Sequence, residues 1–422
     1  MIEGMKNILV IQSAVSRIAN YLRSLKNRVS NRLRRFVLPL SYRSVILFRK
    51  NERPEKKKLL IVKIDAIGDF VIFSPFLTHY RELFKGYDIT LLVNKVNNDL
   101  ALRFLADDTV DNVMLFDRKK SGGFRYVRNL LKTIRDENFT VAIYPVYSRE
   151  IMGDYMVASS CASTRIGYNG DYRNISHKER EKTDTLYTKL LPSSPDVLPE
   201  PERNREFIEE LAAELGLKLT IGKYLPIFTP AASDLKAAEE LLKKEGYDSS
   251  KKYVLVCPGS SDQERNWQIE KFAETANSLH KTNGVGIIIG GSTQEKHATE
   301  ALKKLLSFPV VDLTGKTTLP IFGAICTKAK VYVGNDTGTT HLAGAFGLPV
   351  VCIMGGGINR FFPYGDPKTH IAVYDNDLYA ETAKEPRMRY QSMYAAEKNV
   401  KVSQVLDAVR EVLERTPNDT NH

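Results

Sequence analysis

Residues 331–353 of this chain join two short apolar strands through a polar turn and a helix of small residues. The stretch reads Val-Tyr-Val-Gly-Asn, Asp-Thr-Gly-Thr-Thr-His, Leu-Ala-Gly-Ala-Phe-Gly-Leu-Pro and finally Val-Val-Cys-Ile. Parallel strands need a crossover connection, usually a helix, so this order predicts an open α/β sheet. Such sheets bind ligands beyond the carboxyl ends of their strands, and the polar turn is therefore a candidate binding site.

The turn offers groups that suit a phosphate or a sugar. A helix N-terminus favours an anion, a glycine lets the ligand approach the backbone, and hydroxyls supply neutral hydrogen bonds. The alternative is an ordinary capped turn followed by a buried, hydrogen-bonded histidine. The candidate contacts are Asp336, Thr337, Gly338, Thr339, Thr340 and His341.

A second segment, residues 58–75, repeats this design with a buried apolar strand, a tight turn at Gly68 and a helix that opens on Asp69. Three further blocks lie between the two segments, at residues 257–267, 287–295 and 312–319. Together the five blocks resemble, in order, the motifs of glycosyltransferase family 9, which contains the ADP-heptose:lipopolysaccharide heptosyltransferases.

This resemblance implies a GT-B fold, in which two Rossmann-like domains face each other across a cleft. We predict a basic, amphipathic N-terminal extension, an acceptor domain, a nucleotide-sugar donor domain and a C-terminal helical tail. Their predicted ranges are 1–57, 58–225, 226–380 and 381–422.

The alternation of strand and helix patterns independently supports two α/β units. It predicts a single helix over residues 70–84 after the first strand. Residues 163–202 are polar and end in four prolines, so we predict a long loop there.

The resemblance makes Asp69 the candidate catalytic base. An inverting glycosyl transfer needs an ionised base beside the acceptor hydroxyl, and a helix N-terminus holds a carboxylate ionised. The structural alternative is a helix N-cap without chemistry. Asp65 and Gly68 are expected on the acceptor side, where a turn-stabilising role for Asp65 is the simpler reading.

The leaving nucleotide diphosphate needs groups that stabilise its charge. A turn after the strand at 252–257 offers backbone amides and two hydroxyls, and an arginine can place two parallel hydrogen bonds on phosphate oxygens. Glu295 is either a ribose-binding acid or a first-turn helix acid. The donor-side candidates in these two blocks are Gly259, Ser260, Ser261, Arg265 and Glu295, whereas Trp267 is expected to pack beneath the loop.

Two departures from the family pattern bear on the donor. Arg265 stands where the family usually carries lysine, and residues 355–364 begin Gly-Gly-Gly where heptosyltransferases continue Gly-Pro-Thr. The second departure leaves open whether the donor sugar and base are those of ADP-heptose, which stays a candidate donor.

The net charge of +11 is concentrated at one end of the chain. Residues 1–58 hold 15 Lys/Arg against 3 Asp/Glu, and apolar residues recur at helical spacing between 8 and 38. A basic amphipathic helix suits an anionic membrane surface. Packing on the protein itself, a poorly ordered leader and a nucleic-acid arm are the alternatives, and no nucleic-acid motif supports the last.

We therefore expect a metal-independent, inverting glycosyltransferase that moves heptose or a related sugar from a nucleotide diphosphate to a lipid-linked saccharide. No cofactor or metal is expected, since the His and Cys residues lack ligand spacing. No apolar run reaches membrane-spanning length, so we expect a cytoplasmic protein, peripheral on the inner face of a bacterial membrane. A catalytically silent GT-B scaffold and a nucleotide-sugar epimerase are the alternatives.

Overall fold

The computed structural model describes residues 37–47, 56–222, 224–382 and 388–415, apart from the side chains of residues 389 and 390. Most of the predicted N-terminal extension therefore lies outside the described residues. The strands are β1 Lys58–Lys63, β2 Asp88–Asn94, β3 Asn112–Phe116, β4 Val141–Tyr144, β5 Thr164–Tyr168, β6 Lys189–Leu191, β7 Tyr253–Cys257, β8 Gly286–Ile289, β9 Val311–Asp312, β10 Val331–Asn335, β11 Val350–Ile353 and β12 His370–Val373.

The helices lie before, between and after these strands along the chain. They are α1 (residues 37–46), α2 Ile67–Phe73, α3 Leu77–Leu83, α4 Asn98–Ala106, α5 Phe124–Asp136, α6 Ile151–Ser159, α7 His177–Asp184, α8 Glu200–Glu214, α9 Ala232–Lys244, α10 Ile269–Asn283, α11 Lys296–Leu305, α12 Leu319–Cys326, α13 Gly338–Ala345, α14 Asn376–Glu381, α15 Arg389–Ser392 and α16 Val402–Arg415.

The first sheet has the order β3-β2-β1-β4-β5-β6 and is parallel throughout. β1 is an almost continuous apolar run with five of its six residues buried, as expected for a strand covered on both faces. The helix α5 buries Val127, Leu130, Leu131 and Ile134, whose i, i+3, i+4, i+7 spacing forms one apolar stripe.

The second sheet has the order β12-β11-β10-β7-β8-β9 and is also parallel. If β7–β12 are renumbered 1–6, the second sheet has the order 6-5-4-1-2-3, which is the order of the first sheet read from the other edge. Both sheets therefore have the Rossmann strand order. The helix α16 packs Val405, Val409 and Val412 into the core beside this sheet. The predicted α/β class with two Rossmann-like sheets is confirmed.

Two compact units contain these sheets, and each is discontinuous in sequence. The unit with the second sheet also includes residues 65–85 and 96–110, which carry α2, α3 and α4, and everything after residue 192. The predicted boundaries, continuous in sequence, stay a prediction. No helix within the described segments combines the length and the apolar character that crossing a bilayer requires.

The predicted loop over residues 163–202 is wrong. This range contains β5, α7, β6 and the start of α8. Its buried Arg180 has Nε 2.9 Å from Oδ1 of Asp184, and the same carboxylate oxygen pairs with the buried Arg149, which precedes α6. Because these buried groups are charged, hydrophobic periodicity gave no sign of the packing.

The prediction of a single helix over residues 70–84 is also wrong, because the structure has two helices there. α2 begins at Ile67, a short 3-10 turn covers Ser74–Phe76, and α3 follows. Pro75 in that turn has no amide hydrogen to donate to the preceding turn, which explains the change in helical geometry.

Candidate active site

The turn that begins α2 packs against the turn that begins α13. A Cβ atom added to Gly68 would lie 2.6 Å from Cδ2 of His341, and one added to Gly338 would lie 2.7 Å from Cβ of Ile67. Neither distance is possible for a real side chain, so the two glycines permit the contact. The structure therefore brings the predicted acceptor-side turn and the predicted donor turn together within one compact unit.

Asp69 lies in the first turn of α2, and its side chain is half-buried. The N-cap position is occupied by Ala66, so the alternative role of Asp69 as the N-cap is wrong. Asp65 is also half-buried, and its backbone carbonyl accepts a hydrogen bond of 3.2 Å from the side-chain amide of Asn97.

The threonines of the donor turn have different surroundings. The hydroxyls of Thr337 and Thr339 lie 2.8 Å apart, and both side chains are half-buried. Thr340 is fully buried and donates a 2.6 Å hydrogen bond to the carbonyl of Asn335. The hydroxyl of Thr340 therefore ties the turn to the end of β10, whereas Thr337 and Thr339 lie nearer the surface.

Arg265 reaches the donor turn from the loop after β7. Its Nη2 donates a 2.9 Å hydrogen bond to Oδ2 of Asp336. Nε2 of His341 lies 3.6 Å from Oδ1 of the same carboxylate. Burial alone would raise the pKa of Asp336, but hydrogen bonding and charge from His341 and Arg265 lower it. The carboxylate is consequently held ionised between a guanidinium and an imidazole.

Glu295 connects the loops that follow β7 and β8. One of its carboxylate oxygens accepts the backbone amide of Ser292 in a capping box. A Cβ on Gly259 would lie 2.6 Å from Cγ of Glu295, so this close approach also requires glycine. Glu295 is therefore a helix first-turn acid, and its side chain lies beside the turn at Gly259.

The two serines of that turn differ in exposure. Ser260 directs its hydroxyl inward to the carbonyl of Asp262, at 2.7 Å, while Ser261 is exposed. Trp267 is 2% exposed, and its indole donates a 2.9 Å hydrogen bond to the carbonyl of Val400. The expectation that Trp267 packs beneath the loop is confirmed.

The block at residues 355–364 folds against Asp336 and His341. A Cβ on Gly357 would lie 2.3 Å from Oδ2 of Asp336, so the backbone passes directly over the carboxylate. The Tyr364 ring stacks on the His341 ring, with 5.7 Å between the ring centroids and an interplanar angle of 9°. The Tyr364 hydroxyl lies 3.1 Å from Nδ1 of His341. Both imidazole nitrogens of His341 thus face oxygen atoms.

Sequence reasoning missed Glu397, which is fully buried and has Oε1 3.5 Å from Nε of Arg265. It lies in a short 3-10 turn, Ala396–Asn399, about 60 residues after Asp336. No motif or periodicity marks it, and only the folded chain shows its proximity to the donor turn.

Across the described ranges, no group of three or more His, Cys, Asp or Glu residues is arranged to hold a metal ion. The titratable side chains that face one another here are Arg265, Asp336, His341 and Glu397.

Comparison with known proteins places these observations in a family. The model of Glycosyltransferase family 9 (heptosyltransferase) matches residues 127–391, more than half of the chain. The chain belongs to glycosyltransferase family 9. Its predicted enzyme class, glycosyltransferase, is therefore confirmed. The matched range includes all donor-side candidates, whereas Asp65, Gly68 and Asp69 precede it.

Among curated proteins of this family, the chain is similar to the lipopolysaccharide core heptosyltransferase OpsX of Haemophilus influenzae. The two are 24% identical over 335 residues, which cover 78% of this chain and 88% of OpsX.

Solved structures of family 9 proteins have the same fold. The family 9 glycosyltransferase of Veillonella parvula has a TM-score of 0.67 at 18% identity, covering 86% of this chain and all of that protein. Escherichia coli heptosyltransferase WaaC with ADP-2-deoxy-2-fluoro heptose has a TM-score of 0.57 at 18% identity, covering 85% of this chain and all of WaaC. The GT-B fold class is confirmed.

Proposed function

We propose that this glycosyltransferase transfers heptose, or a closely related sugar, from an ADP-linked donor to a lipid-linked saccharide of the lipopolysaccharide core. The relatives support this choice, since OpsX is a lipopolysaccharide core heptosyltransferase and WaaC was solved with an ADP-heptose analogue.

One observation carries the mechanistic part of the proposal. Gly68 packs on His341, and Gly338 packs on Ile67, so the turn with Asp69 lies against the turn with Asp336. A base and a donor-binding turn must be this close if an acceptor hydroxyl is to attack a sugar bound between them.

In the proposed reaction, Asp69 accepts the proton of the acceptor hydroxyl as its oxygen attacks the anomeric carbon. The bond from that carbon to the diphosphate oxygen breaks, and ADP leaves with the electron pair. Attack on the face opposite the leaving group inverts the anomeric configuration. Asp65 and Gly68 border the acceptor in this arrangement.

The donor is held from the other side. Arg265 and the amide groups at the start of α13 supply positive charge to the diphosphate as it leaves. Gly259, Ser260, Ser261 and Glu295 form the nucleotide end of the site. The set Asp336, Thr337, Gly338, Thr339, Thr340 and His341 forms the sugar and pyrophosphate end, where the buried Thr340 shapes the turn. The reaction proposed here uses no metal ion and no cofactor.

The decisive experiment combines the purified protein with ADP-heptose and lipopolysaccharide core that lacks heptose. We expect a product one heptose heavier by mass spectrometry, with an anomeric configuration opposite to that of the donor by NMR. Transfer should persist in excess EDTA. Absence of transfer despite donor binding would contradict the proposal.

A control with donor alone separates the two alternative functions. An epimerase would change the sugar without an acceptor, and a silent scaffold would leave the donor intact in every mixture. The proposed enzyme requires both substrates for rapid turnover.

We also propose that the enzyme works at the inner face of the bacterial inner membrane. The acceptor is lipid-linked, and residues 1–57 supply a large excess of positive charge. Anionic headgroups attract such a segment by about 1 kcal/mol for each Lys or Arg close to the surface.

A further inference from the structure

Glu397 is a fully buried carboxylate beside the donor turn. Its nearest cation is Arg265, with Nε 3.5 Å from Oε1. Neither carboxylate oxygen has a hydrogen-bond partner among the described residues. An ionised carboxylate is costly to bury without compensation, so its place next to a guanidinium calls for an explanation.

The segment that carries Glu397 is fastened to the loop that carries Arg265. The carbonyl of Val400 accepts hydrogen bonds from the Trp267 indole, at 2.9 Å, and from Nζ of Lys271, at 2.8 Å. The hydroxyl of Tyr394 donates a 2.6 Å hydrogen bond to Oδ2 of Asp262. Contacts on both the N-terminal and the C-terminal side of Glu397 in the chain therefore hold it in position relative to Arg265.

Gly355 leaves the space that Glu397 fills. A Cβ on Gly355 would lie 2.6 Å from Oε2 of Glu397. Gly355 opens the block that departs from the family pattern, and Arg265 is itself the other departure. Arg265 and the first residue of the block at 355–364 therefore lie against the same buried carboxylate.

The guanidinium of Arg265 spans two carboxylates through different nitrogens, Nη2 toward Asp336 and Nε toward Glu397. A lysine ammonium is a compact point charge and does not offer this fork. Burial raises the pKa of Glu397, with the charge of Asp336 acting in the same direction and Arg265 opposing it.

We propose that Glu397 is a positioning residue of the donor site, which fixes the Arg265 guanidinium so that it contacts the donor diphosphate. The inference rests on the proposed function only in naming that ligand. It assigns a role to a residue of the C-terminal segment, beyond residues 127–391 that match the family model.

The test measures ADP affinity by calorimetry in the full-length protein and in Glu397→Gln and Glu397→Asp. Glu397→Gln keeps the shape and removes the charge, so we expect affinity to fall about threefold to thirtyfold. Glu397→Asp should retain more affinity than Gln, because it keeps the carboxylate. Equal affinity in the wild type and Glu397→Gln, or equal losses in both variants, would overturn the inference.

A second measurement applies whether or not ADP is the ligand. Thermal unfolding of Arg265→Met, Glu397→Gln and the double variant forms a double-mutant cycle. We expect the second substitution to destabilise the protein much less than it does alone, because its partner is already gone. Additive losses would overturn the pairing, whereas a wild type that pairs but binds no ADP would count against the proposed function alone.

Gly355→Ala provides an independent variant if Glu397→Gln does not fold. The new Cβ would lie 2.6 Å from Oε2 of Glu397 and 2.7 Å from the carbonyl oxygen of Met393, so it shifts the segment that carries Glu397 without changing its charge, and ADP affinity should again fall. Gly222→Ala is the matched control, since a Cβ there has no neighbour within 4 Å. Equal affinity in both glycine variants would contradict the inference.

Discussion

At the scale of single residues, the site is organised around the carboxylate of Asp336. Arg265 and His341 contact its two oxygens, and the backbone at Gly357 passes directly above it. Sequence motifs identified Asp336, Arg265 and His341 as candidate site residues. The contact of Arg265 with Asp336 joins positions 71 residues apart and depends on the order of strands in the sheet, which no local pattern encodes.

Arg265 is predicted to bind the donor diphosphate. Arg265→Met removes a charge-assisted contact and should lower ADP affinity on the order of tenfold to a hundredfold. The matched control is Arg205→Met on α8, because Arg205 also contacts two carboxylates, Glu202 at 2.8 Å and Glu209 at 3.3 Å. Calorimetric titration with ADP checks both variants. Similar affinity in Arg265→Met and Arg205→Met would place Arg265 outside the donor site.

At the scale of elements, the strands and most helices were predictable because buried parallel strands are apolar runs and their crossover helices are amphipathic. The opening motif folds as predicted, into β10, α13 and β11. The region from β5 to α8 escaped prediction because its packing includes charged groups, with Asp184 of α7 pairing with the buried Arg180 and Arg149. Glu397 escaped for a related reason, since a single buried acid in an irregular turn has no periodicity.

The contact between α2 and α13 depends on glycine. Gly68→Ala should lower the free energy of unfolding by about 1–3 kcal/mol, because its Cβ overlaps the His341 ring. Alanine is intrinsically the better helix former, so destabilisation would come from this overlap. Chemical denaturation measures it, with Gly222→Ala as the control. A Gly68→Ala protein as stable as the wild type would contradict the observed packing.

His370, the first residue of β12, gives the stability a defined pH dependence. Burial is the main cause that lowers its pKa, from 6.5 to about 4. Between these values the unfolded chain binds a proton that the folded chain does not. The free energy of unfolding should therefore fall as the pH falls from about 6.5 to about 4, by about 3 kcal/mol at most.

Denaturation of His370→Gln across this pH range tests the prediction. The variant has no imidazole at this position, so its stability should fall less than that of the wild type. His297→Gln, at an exposed position, serves as the control. An identical pH dependence in His370→Gln and the wild type would show that His370 does not titrate as described.

At the scale of the whole molecule, the two Rossmann-like sheets form the fold that the chain shares with family 9 proteins. The basic N-terminal segment is the part of the chain that we propose contacts the membrane. The helix at residues 37–46 packs Val37, Leu38 and Val45 into the core of the unit with the first sheet. Residues 1–36 carry 8 Lys/Arg and 1 Asp/Glu. A truncation that removes residues 1–36 therefore leaves this packed helix intact.

We predict that the full chain co-sediments with anionic vesicles and that removal of residues 1–36 abolishes most of this binding. Binding of the full chain should weaken steeply between about 0.1 M and about 0.5 M salt, because screening shortens the reach of the charges. Neutral vesicles are the control. Equal sedimentation with neutral and anionic vesicles would exclude an electrostatic contact.

The central claim, that Asp69 is the base of a glycosyl transfer, is tested most directly by the turnover of Asp69→Asn. Asparagine keeps the shape and removes the proton acceptor. With saturating ADP-heptose and heptose-free core acceptor, turnover should fall roughly a hundredfold or more, while ADP affinity and the unfolding temperature stay close to those of the wild type. Near-normal turnover in Asp69→Asn under these conditions would contradict the account.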